Sequence, residues 1–470
     1  MSRRGWTLII VVVVLGAIIG AYFWISRPKP APVQTAGAKV ELSKGDKEKI
    51  SRIVLTDRPE GTLTLQKKNG AWVTDPPVPG TLDASNLDDL LYSFSALQAE
   101  RTIDENPTDL ARYGLNPPRA TAIGTWEDGT VHTLVLGNKT DSGSTYYLQV
   151  KGDPKVYTVW MNNGEHFHWT VNNLRSRTIT PAINYDEITY VKLLLHDRSV
   201  LEVKQKTTDE AKSYQLGFGQ YIVTQPFRTQ RGLDTEQQDK VIKGTQSISI
   251  ADFAADNPKD LSPYGLARPS GEAVVRDKAN TIDFIFGAQK GQQTYFMIKG
   301  QPTVYLTDTA SVSLLDMKAF QLIDKFTFIP NIDDVDRMDI TAAGKTHILT
   351  ITRTSKKAEK AGDPDVVAAS YTADNKTIEE DNFKKFYQHV IGLQVEGEVS
   401  RSVTGPAEVS VTFTLNKGAD RIVRVDYLTY DRDFDAIFLN GVSEFALTKG
   451  QLTRMLDKMD LLLKGEKVTD

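Results

Sequence analysis

A ten-residue block that occurs twice limits the folds open to this chain. Asn106, Pro107, Thr108, Asp109, Leu110, Ala111, Arg112, Tyr113, Gly114 and Leu115 return as Asn257, Pro258, Lys259, Asp260, Leu261, Ser262, Pro263, Tyr264, Gly265 and Leu266, with seven identities at a constant offset of 151. Pro118 and Pro269 keep that offset. Downstream the spacing shrinks slowly: Gly137 pairs with Gly287, Tyr146-Tyr147 with Tyr295-Phe296, and Val156-Tyr157 with Val304-Tyr305. One-residue deletions in turns produce such drift, and a chance motif does not, so the body is a tandem duplication. A fainter third copy follows: Ile437-Phe438-Leu439-Asn440-Gly441 and Glu444-Phe445-Ala446-Leu447 resemble Tyr295-Phe296-Met297-Ile298-Lys299-Gly300 and Val304-Tyr305-Leu306-Thr307. That copy lacks the Asn-Pro…Tyr-Gly-Leu block.

Within a copy, alternation at residues 53–55 and 62–65 predicts strands, and Leu87, Leu90, Leu91, Phe94 and Leu97 predict an amphipathic helix. More strands are predicted at 133–136, 146–150 and 155–159, with a closing helix at 171–177. In the last copy, helices are predicted at 381–393 and 451–463. The repeated block reads as a short capped helix. Asn106 and Asn257 are the N-caps, Pro107 and Pro258 take the first helical position, Asp109 and Asp260 face the first-turn N–H groups, Gly114 and Gly265 take the left-handed position past the end, and Leu115 and Leu266 close the contact. Leu110, Leu261, Tyr113 and Tyr264 belong to the same structural motif.

Residues 6–25 hold twenty residues without a charge, long enough to cross the roughly 30 Å hydrocarbon layer as a helix. Trp6 and the pair Tyr22 and Trp24 stand where interfacial aromatics belong. Arg3 and Arg4 favour a cytoplasmic N-terminus over the side holding Arg27 and Lys29. The run exceeds the usual core of a cleaved signal peptide and ends in bulky residues, and without cysteine it cannot be a lipoprotein anchor. Pro28, Pro30 and Pro32 mark a semi-extended spacer after it.

The expected fold is α+β: one N-terminal transmembrane helix, then three tandem strand-rich repeats with mostly antiparallel sheets. The layout is a cytoplasmic N-terminus (1–5), the transmembrane helix (6–25), a Pro-rich spacer (26–46), repeat one (47–182), repeat two (183–329) and a divergent repeat three (330–470). The chain is expected in the inner, cytoplasmic membrane as a single-pass protein, with its bulk periplasmic or otherwise extracytoplasmic.

Candidate chemistry is sparse. The absence of cysteine excludes disulfides, thiolate nucleophiles and cysteine-held metal clusters. A net charge of −4 offers no basic field for nucleic acid. Asp431, Asp433 and Asp435 alternate like the first calcium ligands of an EF-hand, but Ala436 and Val442 stand where Gly and Glu are needed, so a hairpin tip is the simpler reading. His166 and His168 near Glu165 sit two apart on an expected helix, which points them to different faces. The run Asp333, Asp334, Asp336 could supply a carboxylate pair, though such clusters usually lie on the surface. Gly217 and Gly219 lack the rest of a dinucleotide fingerprint, and hydrolase and nucleotide-loop motifs are missing. No catalytic residue, cofactor or small-molecule ligand is assigned.

The anchor, the spacer, the Tyr-Gly-Leu-x-x-Pro blocks and the Tyr-Tyr-Leu-x-Val…Val-Tyr hairpins together resemble the bacterial domain-of-unknown-function family 4340, over most of the chain from Lys49 onward. Members are commonly encoded beside gliding-motility-type ABC transporter components, which implies an accessory envelope role; the family supplies no catalytic residues. The expectation is a non-enzymatic accessory subunit of an ABC-type export or cell-envelope complex, with membrane and protein partners. The alternative is an envelope enzyme or carbohydrate-binding protein acting on wall polymers.

Overall fold

The computed structural model describes residues 40–356, 366–417 and 421–469. The expected cytoplasmic N-terminus, the transmembrane helix and the spacer up to residue 39 lie outside them. Among the described residues no helix is long and apolar enough to cross a membrane. The chain divides into two compact units between Ser176 and Arg177.

In the first unit, β1 (Ile50–Thr56), β2 (Leu63–Lys68), β3 (Ala71–Asp75), β4 (Arg101–Asp104), β5 (Ala120–Trp126), β6 (Val131–Lys139), β7 (Thr145–Val150) and β8 (Val156–Trp160) form one sheet. Its order is β3-β2-β1-β5-β6-β7-β8-β4. The first three strands meander to one edge, the last four meander from β1 toward the other, and β4 closes that edge against β8. Strict alternation makes this a half-buried sheet: every second residue of β5 faces the core. The expected helix appears as Ala84–Ser95, capped by the Asp83 carboxylate on the Asn86 N–H. It buries Leu90, Leu91 and Phe94 on the sheet, each worth roughly 1.5–3 kcal/mol. The closing helix is shorter than the expected 171–177. It spans Val171–Leu174, after which Arg175 turns extended and bridges to Leu82.

The second unit holds two sheets of nine strands with identical topology. In one, Tyr190–Leu194 lies between Val200–Gln205 and Gly271–Arg276; in the other, Val335–Ala342 lies between Lys345–Lys356 and Val409–Leu415. Both keep the β-order of the first unit with one short strand added at the edge beyond the counterpart of β3. All described strand pairings are antiparallel. A single hydrophobic core runs from Ile188 to Val468, which is why these two sheets form one unit. The last helix, Lys449–Lys464, packs on the helix Glu380–Ile391.

The repeated block folds differently from the capped helix expected of it. Asn106 and Asn257 cap nothing. The helical part is one 3-10 turn, Ala111–Tyr113 or Ser262–Tyr264, too short to reach back to the asparagines. The aspartates take over the capping, because Asp109 accepts the Ala111 N–H at 2.9 Å and Asp260 the Ser262 N–H at 2.8 Å. Gly114 and Gly265 do adopt the left-handed conformation, at φ 66° and 69°.

Each turn docks on the sheet face away from the helix. In the first unit Tyr113, Leu115 and Val156 form a separate small core there, with the Tyr113 ring edge-on to Tyr147 at 5.0 Å and its hydroxyl donating to Asp104. Tyr264 meets Tyr295 in the same way at 5.2 Å. Docking requires a glycine beneath it. A Cβ on Gly137 or Gly287 would collide with the carbonyl oxygen of Tyr113 or Tyr264, and a β-bulge falls at both glycines.

Repeat three has lost the block and its seat together. Strand register aligns Leu428 with Gly137, Ala436 with Tyr147, and Glu444 with Val156 and Val304. The hairpin there is free of the bulge. A leucine in place of the glycine and a carboxylate in place of the buried valine leave no site for a Tyr-Gly-Leu turn.

Candidate functional site

Repeat three carries a cleft of about 590 Å³, within the second unit. One wall is the stretch Val399 to Val403, another is Phe438 with Gly441, Val442 and Ser443, and the rim is Arg228 and Thr229 from repeat two. Glu444 holds that rim. Its carboxylate accepts the Arg228 N–H, the Thr229 N–H at 2.8 Å and the Thr229 hydroxyl at 2.7 Å. Alongside, Phe227 sits edge-on to Phe445 at 5.1 Å. The turn of repeat two thus covers part of the face that each earlier repeat covers with its own block.

Two cations face the cleft. The Arg228 guanidinium is exposed and has no ion-pair partner among the described residues. Arg401 lies over the Tyr430 ring at 4.8 Å and donates to the Tyr430 carbonyl, which leaves its charge without a carboxylate. Ser400, Ser402 and Ser443 add hydroxyls, and the Ser443 Oγ is buried without a hydrogen-bond partner. Val399, Val403, Phe438 and Val442 make the remainder of the lining apolar.

Beneath this face the Arg231 cation ties repeats two and three together, and the Lys325 cation lies beside it within repeat two. Arg231, 6% exposed, donates to the carbonyls of Asp324 (3.0 Å) and Phe326 (2.7 Å) and stacks on Phe445. Lys325 lies over Phe320, and burial, then the nearby Arg231, push its pKa down to about 8. The folded state therefore releases this proton before the unfolded chain, whose lysine keeps it to about 10.5. Since the unfolded state binds more protons between those values, stability rises with pH across that window. Wild type is expected to gain about 1 kcal/mol over Lys325→Met between pH 8 and 10, after discounting for the partial exposure of the amine. Denaturant unfolding at both pH values checks this, and parallel behaviour of the two proteins would contradict it.

The residues singled out by sequence do not converge on a reaction centre. Asp431 caps the hairpin turn through the N–H groups of Asp433 and Phe434, Asp433 is exposed, and Asp435 is buried at the start of a strand. The hairpin-tip reading therefore does not extend to Asp435. Its Oδ1 lies 3.2 Å from Lys449 Nζ without hydrogen-bond alignment, and burial raises its pKa despite that amine. Lys449 is charged more firmly because it also holds Glu408 at 3.1 Å. His166 bonds the Ser93 hydroxyl while His168 faces Glu60, so the two part as expected; the helix itself ends at His166. Asp334 is bound by Tyr214 and Lys417, which outweigh its burial and hold it below the usual range, and Asp336 pairs with Arg353. Among the described residues no group of three or more His, Asp or Glu side chains is placed to hold a metal ion.

Sequence reading missed Arg228, Arg401, Ser443 and Glu444. Its one pointer was Glu444, a carboxylate paired with Val304 in the repeat alignment.

Three antiparallel sheets, each carrying a helix between its third and last-edge strands, define a tandem α+β repeat protein. The model of the domain of unknown function DUF4340 matches residues 72–254 and 228–412, and the chain belongs to this family. Each match begins at one sheet and ends within the next. No curated protein and no solved structure matches the chain.

Proposed function

We propose that the protein is a membrane-anchored extracytoplasmic accessory subunit of an ABC-type export or cell-envelope complex, acting by assembly and not by catalysis. The observation that carries this reading is how the spacer's end is held. Leu42 and Ser43 donate their N–H groups to the Leu97 carbonyl, Gly45 donates to Ser95, and the Val40 carbonyl accepts from Ala99. The Ser43 hydroxyl bonds the Phe94 carbonyl and His132, and Trp126 donates to the Asp46 carbonyl at 3.1 Å. Residues 40–46, expected as free spacer, are thus part of repeat one. Four backbone bonds of about 1 kcal/mol each make this a firm attachment.

The same pairing joins repeat two to repeat three, where Thr327 donates to Leu393 and Val395 to Lys325. The tether thus occupies on repeat one the place that a preceding repeat occupies on its successor. A body fixed this way to a span at residues 6–25 keeps a defined end toward the bilayer, which suits docking on a membrane partner and gives a free-acting enzyme no advantage. Affinity purification of the full chain from solubilised membranes tests the reading. Membrane components of one transporter or envelope complex are expected in stoichiometric yield, and a chain recovered alone would overturn it.

A further inference from the structure

We infer that the cleft of repeat three is the docking site for an extended acidic segment of a partner protein, with Arg228 and Arg401 receiving its carboxylates. This rests on the assembly reading above and specifies where the assembly contact lies. The lining selects a peptide. It mixes four apolar side chains with hydroxyls, beside the edge strand Gly397–Glu398, which is bonded only on its inner side to the strand Val442–Thr448. Exposed strand edges and alternating apolar pockets are the usual means of holding an extended segment.

The charge of that segment follows from the cations. Arg228 and Arg401 are the charged residues of the lining, and neither meets a carboxylate among the described residues. The negative charge of Glu444 is taken up by the N–H groups and hydroxyl of the rim, so the carboxylate stabilises the cleft's shape without neutralising the arginines. A carboxylate-bearing segment satisfies both arginines, with bidentate geometry open to the exposed Arg228 fork.

The test places a photo-crosslinking amino acid at Val403 or at Val442 in the full-length, membrane-embedded protein, with Ile422 as an exposed control position away from the cleft. Mass spectrometry of the adduct is expected to identify a single partner segment rich in Asp and Glu. The pair Arg228→Glu and Arg401→Glu is expected to cut the cleft adduct at least tenfold while leaving thermal unfolding unchanged. Exchanging the segment's acids for lysine is expected to restore it, and that rescue separates charge pairing from misfolding. An adduct with an acidic glycan, an adduct insensitive to charge reversal, or equal labelling from Ile422 would each overturn the inference. If a membrane complex still co-purifies while the cleft yields no adduct, the cleft assignment fails and the subunit reading stands. If nothing co-purifies from wild type, both fail.

Discussion

Gly287→Ala is expected to destabilise the second unit by roughly 1–3 kcal/mol, the range for forcing a methyl group into filled space. The new Cβ would meet the Tyr264 carbonyl oxygen, with the Leu266 side chain at 3.0 Å on its other flank. Backbone cannot yield there as a flexible side chain would, because the Tyr264 carbonyl belongs to a turn closed by the Leu261–Leu266 hydrogen bond. The block must lift off the sheet, exposing Leu266 and the Tyr264–Tyr295 contact. Gly137→Ala should do the same in the first unit through Tyr113. Gly397→Ala is the control, since its Cβ would enter open space and its backbone needs no left-handed angle. Denaturant unfolding checks the set, and Gly287→Ala behaving like Gly397→Ala would show that the block is not seated on the glycine.

Arg231→Ala is expected to cost about 2–4 kcal/mol, because it strands the Asp324 and Phe326 carbonyls and empties the space against Phe445. Both carbonyls belong to the segment that leaves repeat two and pairs with repeat three, where Phe326 bridges to Gln394. The loss should therefore lower the unfolding transition of the second unit and leave that of the first in place. Intrinsic tryptophan fluorescence separates them: all described tryptophans lie in the first unit, so the variant's circular dichroism should shift while its tryptophan signal does not. A shift of both signals together would contradict the placement of this cation.

Much of the body was legible because the repeats are written in residues with fixed periods. Leu87, Leu90, Leu91 and Phe94 could only bury one face as a helix, and they do so within Ala84–Ser95. The strands carrying Tyr146-Tyr147 and Tyr295-Phe296 occupy equivalent places in two sheets, but the register sets Tyr147 over Tyr295 and Leu148 over Phe296, one residue away from the pairing read off the sequence. The recurrence of Gly137 and Gly287 was visible too, but its cause was not, since it lies in a carbonyl that reaches the glycine only after the sheet and the 3-10 turn have both formed. The asparagine caps failed for a local reason: Asp109 and Asp260 stand two residues before the turn's own N–H groups and win that competition.

The cleft was illegible for a different reason. Arg228 and Glu444 are 216 residues apart, and their contact depends on how the end of repeat two packs on repeat three. A departure from a repeat shows that a surface has changed and says nothing of what borders it. Glu444 in the column of Val156 and Val304 is the one substitution that carried the information. It reads as a polar residue entering a buried position, which requires a partner from elsewhere in the chain.

Whether the protein acts by assembly beside the bilayer is tested most directly by releasing it. In a strain lacking the full chain, residues 39–470 would be exported behind a cleavable signal at normal abundance, alongside the anchored form. The released body keeps residues 40–46 and every described contact, so its fold is expected to survive while its local concentration at the membrane partner is lost. The account predicts that the anchored form alone restores function and alone recovers the membrane complex. Full rescue by the released body would contradict it.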